Sequence, residues 1–255
     1  MPKVHFIGRV LPSAAIISVE IPNGKWKWQA AGLEPEFKVK IGHSFINIEC
    51  EIEKYETDYF VELHKRASDL ARAAVNVVAF ASGLGLSVIL ETFIDPNGAP
   101  SAILPTDPAI PALCTSYSLD PSRGADLGAI YQFVLTEPPL YRALNDLIES
   151  ITVPHVCTVN CGRVIDSIRR MITPNLSTPA GQAWGAMHRA LNVSREYQEW
   201  ISEQSKGPRH GDPSFVPGNI ATEMTHRSWI IMNRYFEYRK RGNQPLPDAE
   251  FPILS

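Results

Sequence analysis

Cysteine is scarce in this chain: there are four in 255 residues, at positions 50, 114, 157 and 161. That is too few for a disulfide framework at this length, so the fold must rest on an apolar core. A dominant charge is missing too: 24 Lys and Arg stand against 27 Asp and Glu, for a formal net charge of -3. Such a balance excludes a general, whole-surface attraction to nucleic acid or anionic lipid, so any basic site has to be local. No uncharged apolar run reaches the length of a membrane span. The longest, residues 73–90, is interrupted by Gly83 and Gly85 and diluted by Ala and Ser. The opening Met1-Pro2-Lys3-Val4-His5 lacks the apolar core of a signal peptide. The expectation is a cytoplasmic, reduced protein with no membrane partner. Internal repeats and low-complexity tracts are absent as well.

What is present is 44% hydrophobic residues, enough for one large core or two smaller ones, and 21 prolines. The prolines cluster at 96–121, 136–139, 208–217 and 245–252 and punctuate the chain. Residues 3–54 read as β structure. Val4 to Ile7, Ile16 to Ile21 and Lys25 to Gln29 are rich in β-branched or aromatic residues. Pro22-Asn23-Gly24 between the last two reads as a hairpin turn, because Asn and Gly tolerate positive φ. Phe37 to Ile41 and Phe45 to Ile52 form another pair around Gly42-His43. In the second of these, Ile46, Ile48, Cys50 and Ile52 share the face expected to be buried.

The period changes at about residue 57. Phe60, Leu63, Ala67, Leu70, Ala71, Ala74, Val75 and Val78 recur at helical spacing, which predicts a helix over 57–82 ended by Gly83. Fully burying one such Leu or Val stabilises by roughly 1.5–3 kcal/mol, enough over the stripe to fasten the helix to the sheet. Leu86 to Ile94 reads as a strand closed by Asp95-Pro96-Asn97-Gly98, with another strand near Leu113 to Leu119. From Gly124 onward the pattern is helical: 125–135, 140–150, 162–172, 182–191, 194–203 and a long helix over 219–241. The tail reads as packed, extended chain. These patterns predict an α+β protein, with an N-terminal antiparallel β-rich region braced by one long helix (1–122) and a C-terminal helical bundle (123–255).

Chemistry concentrates at Lys206-Gly207-Pro208-Arg209-His210-Gly211-Asp212, read as a bent loop between two helices. Arg offers a planar fork of donors, and His donates or shuttles a proton near neutral pH. Arg209 and His210 are the candidate pair for gripping a phosphodiester and assisting its cleavage. Lys206, Asp212, Arg170 and His226 are the candidate ligand-binding groups around them. The competing reading is a polar loop whose Arg pairs with a carboxylate or caps a helix.

The residues around this loop, Trp184-Gly185-Ala186-Met187-His188-Arg189-Ala190-Leu191, then Tyr197-Gln198-Glu199-Trp200-Ile201, then Arg209-His210-Gly211 before a long helix, resemble HEPN helical domains of the Apea-like branch. The resemblance covers about residues 140–241. It implies a helical bundle, often dimeric, of bacterial defence and toxin systems. It implies a metal-independent endoribonuclease with an Arg and a His, several residues apart, at its active site. Here Arg209 adjoins His210 without that spacer, so a non-cleaving member that senses RNA fits the pattern as well as an active one. The expectations are RNA and a second copy of the chain as partners, and no cofactor. The alternative is a non-enzymatic scaffold protein that binds a protein partner or a small anionic ligand.

Three other constellations have plainer readings. His155, Cys157 and Cys161 are an incomplete ligand set for zinc, and no metal is expected there; Cys161 at a helix N-terminus would have a lowered thiol pKa. Gly83-Leu84-Gly85 follows a helix, the reverse of the dinucleotide-binding order, and reads as a helix stop. Lys25-Trp26-Lys27-Trp28 interleaves bases and aromatics, but on a strand both Trp point one way, toward a core.

Overall fold

A computed structural model describes residues 1–28, 31–114, 127–211 and 216–255. The chain is α+β and divides into two compact units, residues 1–104 and 105–255.

The N-terminal unit is an antiparallel sheet of six strands: β1 (Lys3–Leu11), β2 (Val19–Lys25), β3 (Glu36–Gly42), β4 (Phe45–Glu51), β5 (Ser87–Ile94) and β6 (Pro100–Ala102). Their order across the sheet is β2-β3-β4-β1-β5-β6. Alternation sets the faces. Val4, Phe6 and Val10 of β1, Val39 and Ile41 of β3 and Ile46, Ile48 and Cys50 of β4 are all buried. The residues between them carry charge: Lys3 pairs with Glu49 and Glu51, and Arg9 with Glu91. Helix α1 (Phe60–Ser82) buries Leu63, Ala67, Ala71, Ala74 and Val75 in the same core. It stops at Gly83, whose φ of 64° places it in the left-handed region.

Two local expectations fail here for backbone reasons. Pro22-Asn23-Gly24 does not turn the chain; these residues lie inside β2, where the pairing register with β3 shifts between Ile21 and Gly24. A bulge absorbs the same backbone freedom that a turn would. The connection comes later: the Trp28 amide donates to the Leu33 carbonyl at 2.9 Å, and Gly32 takes a φ of 65°. Trp26 and Trp28 do face the core, as their alternation predicts, with rings stacked 5.4 Å apart. The expected strand at 113–119 begins instead as a helical turn, α2 (Ile110–Cys114), and its remainder lies outside the described residues.

The C-terminal unit is helical: α3 (Leu127–Thr136), α4 (Pro138–Thr152), α5 (Cys157–Ile172), α6 (Ala180–Leu191), α7 (Arg195–Arg209) and α8 (Gly218–Lys240). Leu140, Leu147, Cys161, Ile165, Ile168, Met187, Ile201, Ile231 and Tyr235 form its core. The unit begins at residue 105, earlier than the boundary at 122 that the sequence suggests. The segment 105–114 is tied to α8: Asp107 pairs with His226, and the Asn233 amide donates to the Cys114 thiol. The tail is fastened by one buried arginine and by backbone bonds. Buried Arg234 donates to the carbonyls of Leu191, Asn192 and Pro252, and the Ser194 amide donates to the Leu254 carbonyl. Among the described residues no helix is long and apolar enough to cross a membrane.

Candidate anion-binding cleft

The segment 206–212 is helix for most of its length. Helix α7 runs through Gly207 and Pro208 to Arg209, with His210 as its C-cap. Proline ends helices by withholding an N–H and crowding the preceding turn. Pro208 gives no N–H to the carbonyl of Gln204, four residues back, yet the helix continues to Arg209 and closes tightly: the His210 amide donates to the Gly207 carbonyl at 2.9 Å and the Gly211 amide to the Pro208 carbonyl at 3.3 Å. The stop is Gly211, at a φ of 81°. Asp212 lies outside the described residues.

This extension fixes where Arg209 goes. Its guanidinium donates to Asp166 Oδ2 of α5 at 2.7 Å and to Ser205 Oγ, one turn back, at 3.0 Å. Helices α5 and α7 come close here because residue 162 is a glycine. A Cβ added to Gly162 would lie 2.6 Å from Ser205 Cβ and 2.3 Å from an Arg209 nitrogen. His210 is exposed, and its ring bonds to no described residue. Arg209 is thus committed to Asp166 and Ser205, while His210 follows as the exposed C-cap. Lys206 is exposed on the same turn. His226 is engaged elsewhere, its Nε2 paired with the Asp107 carboxylate. Of the residues singled out in the sequence, Arg209 and Arg170 are the two brought to one region.

That region is an open cleft of about 700 Å³ between the start of α4 and the face of α5. Asp166 and Arg170 line it one turn apart on α5, with Arg163, while Arg142 and Asp146 come from α4 and Glu137 from its N-cap. Ser167 and Thr136 add hydroxyls, and Pro138, Pro139, Met171 and Pro174 add apolar wall. Three arginines therefore meet three carboxylates, but the carboxylates are already engaged. Glu137 takes a two-pronged bond from Arg239 of α8, which raises the Arg239 pKa. Asp166 is shared by Arg209 and by Arg169, the latter at 3.5 Å. Asp146 holds Arg163 at 3.2 Å. Two cations on the cleft wall remain, Arg142 and Arg170, both exposed and without an ion-pair partner among the described residues.

Asp146 is the least ordinary group in the cleft. It is buried, and burial pushes its pKa up, assisted by the negative charge of Glu149; Arg163 and Arg142 oppose the shift. Sequence reasoning does not single out Arg142, Asp146, Arg163 or Asp166. The signal that could find them is the i, i+4 spacing of Arg142 with Asp146 and of Asp166 with Arg170, which puts each pair on one helix face.

The cysteines have a different setting. Cys157 and Cys161 are buried one turn apart, with the Cys157 thiol 3.2 Å from Thr225 Oγ1 of α8. Helix α5 begins at Cys157, so Cys161 is not at its N-terminus. Its thiol pKa is raised, not lowered, by its neighbour Cys157 and by burial. His155 is exposed. Among the described residues no cluster of three or more His, Cys, Asp or Glu has the arrangement of a metal site.

The helical unit with its cleft corresponds to the C-terminal domain of a domain of unknown function, DUF8168, matched over residues 127–240. The sheet unit corresponds to the N-terminal domain of the same family, matched over residues 4–104. Both domains are present in order and together take in most of the chain, which belongs to the DUF8168 family. No curated protein and no solved structure matches it.

Proposed function

We propose that the C-terminal unit is an HEPN-like helical module that senses RNA by binding its phosphates in the α4–α5 cleft. The observation that supports this most is the pair of arginines that form no ion pair among the described residues, Arg142 and Arg170, on a wall whose carboxylates are each bonded by another arginine. In a chain of net charge -3, a local cationic cleft is selective for an anion. Arg209 acts as a positioning residue: it neutralises Asp166 and keeps that carboxylate from repelling a phosphate. Lys206 and His210, exposed at the end of α7, do not line the cleft and take no part in this reading. Since Arg209 is committed to Asp166 and Ser205, binding without cleavage is the favoured form of the proposal. Assembly as a homodimer is implied by the HEPN resemblance and is read by light scattering.

The test is fluorescence anisotropy of a single-stranded RNA oligonucleotide titrated with the full chain. Wild type should bind at low salt and release as salt rises, since neutralised phosphates give up counterions. The double variant Arg142→Ala, Arg170→Ala should lose most of that affinity while keeping the wild-type helical signal. No binding at low salt, or equal binding by the variant, contradicts the reading. The same oligonucleotide run on a gel reads cleavage; a cleavage activity lost in His210→Ala would make the site catalytic instead.

A further inference from the structure

The cleft carries a more specific message in its charge count, one that rests on the phosphate-binding reading above and names its ligand class. We infer that the cleft takes a phosphate monoester, the terminal phosphate of a nucleotide or of an RNA end, in preference to an internal phosphodiester.

Three observations support this. The first is charge. Glu137, Asp146 and Asp166 are offset by Arg239, Arg163 and Arg209; Arg169, which also reaches Asp166, stacks over Trp184 and does not line the cleft, so Arg142 and Arg170 are the two positive charges facing one space. An internal phosphodiester brings one negative charge. A phosphate monoester brings about 1.5 to 2 at pH 7 and three acceptor oxygens, which is the better match to two guanidinium groups. The second is origin. Arg142 projects from α4 and Arg170 from α5, so the two cations approach from different helices, with Ser167 beside Arg170 to donate a hydroxyl. The third is size and wall. A volume of about 700 Å³ falls in the range of small-molecule sites. It exceeds what a lone phosphate needs. Pro138, Pro139, Met171 and Pro174 offer apolar surface for a sugar or base attached to that phosphate.

The experiment compares four probes on the full chain: one single-stranded oligonucleotide with a 5′-phosphate, the same sequence with a 3′-phosphate, the same sequence with hydroxyls at both ends, and a nucleoside 5′-monophosphate. Binding of at least one phosphorylated oligonucleotide should exceed that of the hydroxyl-ended one by about tenfold, the gain from added charge-assisted hydrogen bonds. That gain should vanish in Arg142→Ala and in Arg170→Ala. If the mononucleotide binds and no oligonucleotide does, the monoester inference holds, its source is a free nucleotide, and the RNA reading falls. If all three oligonucleotides bind equally, RNA binding stands and the monoester inference is overturned. If no probe binds, both are overturned.

Discussion

At the scale of single residues, the cleft depends on an absence, the missing side chain of Gly162. It allows α7 to lie close enough to α5 for Arg209 to reach both Ser205 and Asp166. The Arg209 guanidinium, at the end of a flexible chain, would yield to an added methyl, but Ser205 Cβ is fixed to the backbone of α7. Gly162→Ala should therefore destabilise the protein by about 1–3 kcal/mol, the usual cost of overpacking a tight contact, read as a lower midpoint in chemical denaturation. A midpoint equal to wild type would mean that the helices separate freely. None of this is legible in the sequence. Arg209 stands out by residue type, but its partner is 43 positions away in the chain and Gly162 carries no chemistry of its own. The expectation of a loop at 206–212 fails because α7 gives up one hydrogen bond at Pro208 and still runs to Arg209, the turn coming only at Gly211.

At the scale of elements, the long helix on the sheet shows what periodicity can and cannot give. Its buried positions are readable because α1 packs one stripe on one face, and the β4 alternation is readable for the same reason. The bulge in β2 is not, since Pro-Asn-Gly supports a turn and a bulge alike. The interface of α1 also holds His64, stacked on Phe60 at 5.7 Å and near Phe6 at 6.1 Å, with Ser68 Oγ 3.5 Å from its ring. Burial lowers its pKa below the ordinary 6.5. The folded unit therefore prefers neutral His64. The stability this contributes is complete above pH 6.5 and is lost as pH falls through the lowered value. Glu49 and Glu51, held down chiefly by hydrogen bonds from Lys3, have an ordinary value of 4.5 and act only in more acid solution. His188 in the helical unit shifts in the same direction as His64, also through burial, so the effect must be isolated by substitution. His64→Phe should reduce the drop in melting temperature between about pH 7 and about pH 5. An unchanged drop would assign the acid sensitivity elsewhere.

At the scale of the whole molecule, the chain joins two units that solve different problems. The sheet unit buries one face and pairs charges along the other, Lys3 with Glu49 and Glu51, and Arg9 with Glu91. The helical unit matches most of its charges as well, but leaves two arginines on a cleft wall. Composition shows that any basic site has to be local; only tertiary structure shows which arginines are matched, because the pairs Arg163 with Asp146, Arg209 with Asp166 and Arg239 with Glu137 join residues on different helices or segments. The central claim is thus about net charge in one cleft, and Asp166→Asn tests it most directly. The substitution removes one negative charge from the wall and leaves a side chain of nearly the same shape for Arg209 to bond. Measured by anisotropy with a 5′-phosphorylated single-stranded RNA at low salt, Asp166→Asn should bind several-fold more tightly than wild type, with an unchanged helical signal. Binding that is equal to or weaker than wild type, in a variant that remains folded, would contradict the account.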